Sequence, residues 1–397
     1  MRICIAGKNQ IACNVLRHLI DSGYTNKQLS VIPNRDDVGK HTWQPSIAFV
    51  AERHNVPVWS LEQAEDSHDL MFVSVEFDRI LRPSRFKTTQ LYNIHFSLLP
   101  AYRGVATSVL PILHGANTTG VSIHQIDHGV DTGDVIYQKA VEILPNWSSR
   151  DLYFQLMETG EELLTSKIQD LIDGSFTPTP QQVTGASYFS RRDVDFGTPP
   201  IVTNGTAWQA SCSLRAFMFH EYQYPELDVG QVMGASISTS ISTSVSSRCA
   251  TERTGAWTAV LHTRDRSVDL ILSPFNSLYQ WCRTTEDKPE HLDSHPMLNS
   301  IVNRADRNGW TPLMVACYHG NSEAIETLLE WGADVNQSNL RGTTPLMYAK
   351  DCPSRNAQAI VRQVLDAGAD VTVRDAYGKT VIDYAFENNQ QAFLRQI

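Results

Sequence analysis

Arg2-Ile3-Cys4-Ile5-Ala6-Gly7-Lys8-Asn9-Gln10 runs from an apolar stretch into a glycine turn, after which the hydrophobic period changes. Ile3 to Ala6 reads as a buried strand, whereas Val15, Leu16, Leu19 and Ile20 recur at helical spacing. Leu29 to Pro33 then predicts a second strand, Ile47 to His54 a helix, and Leu70 to Val75 another buried strand. Such alternation forms a mainly parallel sheet with helices on both faces, and ligands bind outside the carboxyl ends of its strands. Residues 1–182 are therefore expected to form an α/β, Rossmann-like domain. The turn Gly7-Lys8-Asn9 lacks the three-glycine dinucleotide pattern; it reads either as a helix N-terminus that meets an anion or as a plain strand-to-helix turn.

Two later stretches fall at strand ends of this kind. Asn93-Ile94-His95-Phe96-Ser97-Leu98-Leu99-Pro100 sets Asn93 and His95 two apart, which puts them on one side of a strand. His128-Gly129-Val130-Asp131-Thr132-Gly133-Asp134 sets Asp131 between glycines, where the backbone lets a ligand approach closely. Taken singly, a histidine on a strand is more often a packed core residue, and an aspartate in a glycine loop a turn former. The two motifs together favour a chemical reading.

In combination, Asn-x-His-x-Ser-Leu-Leu-Pro and the later Asp-x-Gly loop resemble the folate-dependent formyltransferases. The resemblance implies N10-formyltetrahydrofolate as donor, an amine as acceptor, no metal, and Asn93, His95 and Asp131 as the catalytic triad. It also implies a pterin between the loops Val75 to Arg79 and His124 to Asp127. Phe77, Asp78, Arg79, His124, Gln125 and Asp127 thereby become folate-binding candidates, with backbone groups carrying most of the recognition. Phe77 reads equally as wall packing, and Arg103 as facing the donor's glutamate tail or solvent. Asn9 and, within Trp43-Gln44-Pro45-Ser46, Gln44 are the implied acceptor contacts.

Residue types suit that chemistry. Amine attack on a formyl carbon builds negative charge on oxygen, which the Asn93 amide and a protonated His95 can stabilise. The arriving ammonium has to lose a proton, a task for an imidazole oriented by a carboxylate. No serine or cysteine nucleophile is needed, because the acceptor brings the attacking atom.

Composition bounds the partners. The 397 residues suggest two or three domains, and 42% hydrophobic with 19% charged residues is ordinary for a soluble globular protein. A formal charge of -10, without lysine or arginine clusters, argues against nucleic acid and hence against methionyl-tRNA as acceptor. Seven dispersed cysteines with no Cys-x-x-Cys pair point to reduced thiols in a cytoplasm. No apolar run is long enough to span a bilayer and no leader precedes the first strand, so the expected location is cytoplasmic, off the membrane.

Residues 183–296 read as a small antiparallel β-rich domain. Ser213 to Phe217 resembles a helix leading to the aromatic loop Tyr222-Gln223-Tyr224-Pro225, whose Tyr222 and Tyr224 could contact a nucleotide or simply pack between domains. Ser236 to Ser247 alternates β-branched residues with serines and predicts a strand, followed by strands at Trp257 to Leu261 and Val268 to Leu272 across Arg264-Asp265-Arg266. The sheet edge is a candidate dimer contact, and a homodimer is expected.

Residues 297–397 form an α-helical array of three ankyrin-like repeats aligned on Gly309, Gly342 and Gly378, with a short insertion near Pro353. Such arrays usually bind proteins. Trp310, Tyr318, His319 and Trp331 cluster near the first repeat, which offers an auxiliary site for a second nucleotide sugar as the alternative to plain packing.

Exclusion selects the acceptor. Glycinamide ribonucleotide enzymes of the family are about as long as the first region alone, and the tRNA enzymes need a basic surface. The chain resembles the sugar N-formyltransferases with a trailing ankyrin module. That implies a dTDP-linked amino-dideoxyhexose, foremost dTDP-3-amino-3,6-dideoxy-D-glucose, in surface polysaccharide (O-antigen) biosynthesis. The alternatives are a 4-amino nucleotide sugar (dTDP-4-amino-4,6-dideoxyglucose or UDP-4-amino-arabinose) and a non-catalytic ankyrin scaffold.

Overall fold

The opening apolar run forms β1 (Arg2–Gly7), and the residues after the glycine turn form α1 (Asn9–Asp21). β2 (Leu29–Pro33), α2 (Ile47–Arg53), α3 (Leu61–Glu65), β3 (Leu70–Val75) and β4 (Leu91–His95) continue the alternation. The front region is completed by β5 (Arg103–Gly104), α4 (Leu110–Leu113), β6 (Thr118–Gln125), β7 (Val135–Glu142) and the long α5 (Ser149–Asp173). This computed structural model describes residues 1–40, 43–219, 223–238, 251–254, 258–284, 287–289, 292–306 and 309–397.

Six strands pair in the order β2-β1-β3-β4-β6-β7, the first four parallel and the last two antiparallel to their neighbours. β3 is buried along its whole length, as expected of a parallel strand covered on both faces. One buried cluster joins Ile3, Ile5, Leu16, Val73, Ile94 and Leu156 across the sheet and its helices. At the end of β1, Gly7 has φ +138, and a Cβ there would lie 1.8 Å from the Val75 carbonyl oxygen. Only glycine lets the β1 and β3 ends come this close, and Lys8 N–H then donates to that carbonyl at 3.2 Å.

Behind the front region, Ala207–Ala216 is a helix packed on a five-stranded antiparallel sheet. Its hairpin Thr258–His262 to Ser267–Leu272 turns across Arg264-Asp265-Arg266 as the sequence predicts. Of the strand expected over residues 236–247, Ser236 and Ile237 close the strand Gly230–Ile237, and 239–247 lie outside the described residues, as does Trp257.

The C-terminal array stacks helix pairs, with Thr311, Thr344 and Thr380 each capping the first helix of a repeat. Gly309, Gly342 and Gly378 hold φ of +81, +77 and +74, the left-handed turn that each repeat requires. Leu278 and Trp281 beside the sheet share one buried cluster with Ala316, Leu328, Ile360 and Phe393 of the repeats. The short array therefore gains core that it could not build alone. Among the described residues, no helix is long and apolar enough to cross a membrane, and no group of side chains is arranged to hold a metal.

Candidate active site

β1, β3 and β4 are neighbours and parallel, so Lys8, Glu76 and His95 come off adjacent strands at one edge of the sheet. The antiparallel β6 and β7 bring the Asp131 loop to the same edge. There the structure brings Asn93, His95 and Asp131 together. Asn93 Nδ2 donates to Asp131 Oδ1 at 3.3 Å, and His95 Nδ1 lies 3.5 Å from Asp131 Oδ2. Gly104 N–H donates to the same Oδ2 at 2.9 Å.

Left-handed backbone marks this edge. Among the described residues seven non-glycines have positive φ, and five of them, Asn9, Glu76, Tyr102, Ala106 and Asp131, belong to this site. For Glu, Tyr and Ala the conformation is strained, costing of order 1–3 kcal/mol each, and it persists only where surrounding structure enforces it.

Tautomers follow from the partners. His95 Nε2 lies 2.8 Å from the Tyr102 carbonyl, which can only accept, so Nε2 carries a proton and the neutral ring turns its lone pair toward Asp131. By the same logic His124 Nδ1 donates to the Gln125 carbonyl at 2.7 Å, and His124 Nε2 accepts from Asn93 Nδ2 at 3.1 Å. Burial pushes the His95 imidazole below its ordinary range, against the pull of Asp131. Burial alone would raise the Asp131 carboxyl, yet the neighbouring His95 and His124 rings and the Gly104 N–H together hold it down to about 2. At neutral pH the site is a carboxylate beside a neutral imidazole. Flanked by two acceptors, that ring is ready to store one proton.

Other candidates take varied places. Asp127 Oδ1 accepts from Gly129 N–H and the Thr132 hydroxyl and so shapes the Asp131 loop. Phe77 packs on Phe72 with Arg79 over its face, and Asp78 pairs with Arg35. Asp78 Oδ1 and Arg79 Nε, 3.6 Å apart, are buried without a hydrogen bond. Gln125 donates its backbone N–H to the Asp134 carbonyl. Arg103, half-buried, donates to Gln181, whose amide in turn holds the carbonyls of Asp131 and Gly133.

A cavity of about 480 Å³ opens where β1 and β3 end, lined by Lys8, Glu76, Ala106 to Val109, Ser149, Tyr153, Phe219 and Gln223, and by none of the three side chains of the Asn93, His95 and Asp131 cluster. Asn9 is fully buried beneath it, donating to Glu76 at 2.7 Å, and Gln44 donates to the Tyr153 hydroxyl at 2.6 Å. Both amides thus hold the side chains that line the cavity. Tyr224 is buried in the second core with Arg304 stacked 4.7 Å over its ring, and Tyr222 lies outside the described residues.

In the array, Trp310, Tyr318 and His319 do gather, with ring centroids 5.8 and 5.2 Å apart, and Tyr348 joins them at 4.2 Å from Trp310. Trp331 packs on Trp281 instead. Tyr153 and Gln181 carry no motif, so sequence reading passed over them, and Glu76 was read only as part of the Val75 to Arg79 loop. The positive φ of Glu76 is visible only in the structure.

Comparison with known proteins agrees with this geometry. Residues 1–168 match the formyl transferase family model and residues 308–340 the ankyrin repeat model. A methionyl-tRNA formyltransferase of Citrifermentans bemidjiense is 32% identical over 196 residues, 46% of this chain and 61% of that protein. The chain thus spans about three-fifths of that relative's length. The N-formyltransferase from Helicobacter canadensis, solved with folinic acid and dTDP-3-aminofucose, is 34% identical over 68% of this chain and 99% of its own, at a TM-score of 0.65. WlaRD, a sugar 3N-formyl transferase solved with dTDP and 5-N-formyl-THF, is 33% identical over 68% and 97%, also at 0.65. With a third of the aligned positions shared across nearly the whole of two solved formyltransferases, and Asn93, His95 and Asp131 brought together at its sheet edge, this chain belongs to the formyl transferase family.

Proposed function

We propose that the protein transfers a formyl group from N10-formyltetrahydrofolate to the amine of a nucleotide-linked amino sugar, with dTDP-3-amino-3,6-dideoxy-D-glucose as the foremost substrate. The observation that carries this reading is the convergence of Asn93, His95 and Asp131 at the strand ends, with the cavity lined by Lys8 and Glu76 at the ends of the neighbouring strands. Two solved relatives hold folates, and one of them a dTDP-3-amino sugar.

The loop from Phe77 to Arg79 fits a folate in one respect: its buried Asp78 Oδ1 and Arg79 Nε lack hydrogen bonds that a polar ring could supply. When bound, the folate supplies an activated formyl carbon. Asn93 then has to exchange its 3.3 Å bond to Asp131, the longer of its two, for the developing oxyanion. The proton released by the attacking amine is held between Asp131 and His95, and it leaves with the folate nitrogen. His95 Nε2 stays tied to the Tyr102 carbonyl, which fixes the ring.

Length and charge separate this from the tRNA reading: the net charge of -10 offers phosphate little attraction. We read the protein as a cytoplasmic enzyme of surface polysaccharide assembly, a homodimer, whose ankyrin array binds a protein or a second nucleotide sugar. Incubating dTDP-3-amino and dTDP-4-amino sugars separately with enzyme and formyl donor tests the substrate. A gain of one formyl group on the 3-amino isomer supports the proposal. A gain on the 4-amino isomer alone moves the substrate to that class, and no gain on either favours a scaffold.

A further inference from the structure

Glu76 is held more firmly than a wall residue needs to be. Its Oε2 accepts from Asn9 Nδ2 and from the Tyr153 hydroxyl, both at 2.7 Å, and its backbone carbonyl accepts from Asn34 at 2.9 Å. Gln44 in turn donates to the Tyr153 oxygen at 2.6 Å. The residue sits at φ +47, a conformation glutamate adopts only under constraint. Both side-chain bonds fall on one carboxylate oxygen. The other, Oε1, accepts nothing from the described residues, and the residue lines the cavity.

Lys8 lines the same cavity, yet no ion pair joins it to Glu76, so this carboxylate is not spent on neutralising its neighbour. A carboxylate only accepts, so what it takes from a ligand is an O–H or N–H donor. Val75 pairs with Ile94, so Glu76 leaves the sheet from the strand beside the one that ends at His95. Neighbouring strands run about 4.8 Å apart, so the two side chains reach different substituents of one bound sugar rather than the same atom. A carboxylate directly on the amine would keep it protonated and slow its attack, whereas one strand away it meets the adjoining substituent instead.

We propose that Glu76 selects the acceptor by taking a hydrogen bond from the hydroxyl beside the amine, on the side of the hexose away from the nucleotide. This inference rests on the amino-sugar reading above. Asn9, Tyr153 and Gln44 are positioning residues that aim the free oxygen, and Lys8 is left to a ligand anion or hydroxyl.

The test compares kcat/KM for a nucleotide-linked 3-amino-3,6-dideoxyhexose with its 4-deoxy analogue. Wild-type enzyme is expected to prefer the hydroxylated substrate by roughly 100-fold or more, as sites built around a substrate hydroxyl do. In Glu76→Gln and Glu76→Asn the preference should fall below roughly tenfold, through loss on the hydroxylated substrate and little change on the analogue. Asparagine tolerates the left-handed backbone and is too short to reach. Equal rates on the two substrates in wild-type enzyme would overturn the inference with no variant needed, as would an undiminished preference in both variants. A wild-type enzyme that formylates neither substrate would instead overturn the underlying functional reading.

Discussion

His124 Nε2 lies 3.4 Å from Asp131 Oδ1, on the opposite side of the carboxylate from His95. One carboxylate therefore stands between two imidazoles, and Asn93 bridges the second of them. His124 also acts on His95 through space, lowering its tendency to bind a proton. Replacing His124 with glutamine should cut kcat roughly tenfold, because Asn93 loses its anchor, with KM for both substrates little changed. It should also move the acid limb of the kcat/KM profile upward, since one influence holding down His95 is gone. An unmoved limb would mean that His124 only packs.

The pH dependence of the wild-type enzyme has a defined sign. Burial holds His95 below its ordinary 6.5, so the neutral base is fully present above that value and activity falls only as pH drops through a lower pKa. Asp131, held at about 2, remains ionised throughout this window. Asp131→Asn keeps a residue that tolerates the φ of +53 there but removes the strongest influence raising His95. The acid limb should shift downward while kcat falls roughly 100-fold or more. Stability follows the same groups: an unfolded chain protonates His95 first, so stability declines as pH falls below 6.5.

Much of the front region could be read from residues because its strands are buried on both faces and its helices on one, so the period of hydrophobicity reports each directly. Asn93, His95 and Asp131 were legible for a related reason: their motifs are short and local. Glu76 and Tyr153 were not, because they lie 77 residues apart and meet only through the close approach of α5 to the β3 edge. His124 was read with the folate wall, since no spacing rule tells which side of a hairpin strand faces the triad once β6 runs antiparallel to β4. The tyrosines at 222 and 224 read equally as a ligand loop or as interdomain packing, and Tyr224 lies in the second core.

Gln181 is a strap on the Asp131 loop. Its Nε2 donates to the Asp131 and Gly133 carbonyls at 2.9 and 2.7 Å, and its Oε1 accepts from Arg103. Gln181→Ala leaves two carbonyls and a guanidinium without this partner, which should lower stability by about 1–3 kcal/mol in a urea titration. Activity should fall through kcat, because the Asp131 loop loosens while the cavity is untouched.

Gly7 admits no side chain. Gly7→Ala would put a Cβ 1.8 Å from the Val75 oxygen at a φ of +138, forcing β1 and β3 apart where Lys8 and Glu76 leave the sheet. Thermal melting should show a loss of roughly 3 kcal/mol or more, or no soluble protein. A variant with wild-type melting and activity would contradict the strand geometry described above.

The most direct test of the account is product mass after incubating dTDP-3-amino-3,6-dideoxy-D-glucose and N10-formyltetrahydrofolate with wild-type enzyme and with a folded His95→Ala variant. The account predicts one added formyl group with wild-type enzyme and almost none with the variant in the same time. No added formyl group with wild-type enzyme, or equal conversion by both, would contradict it.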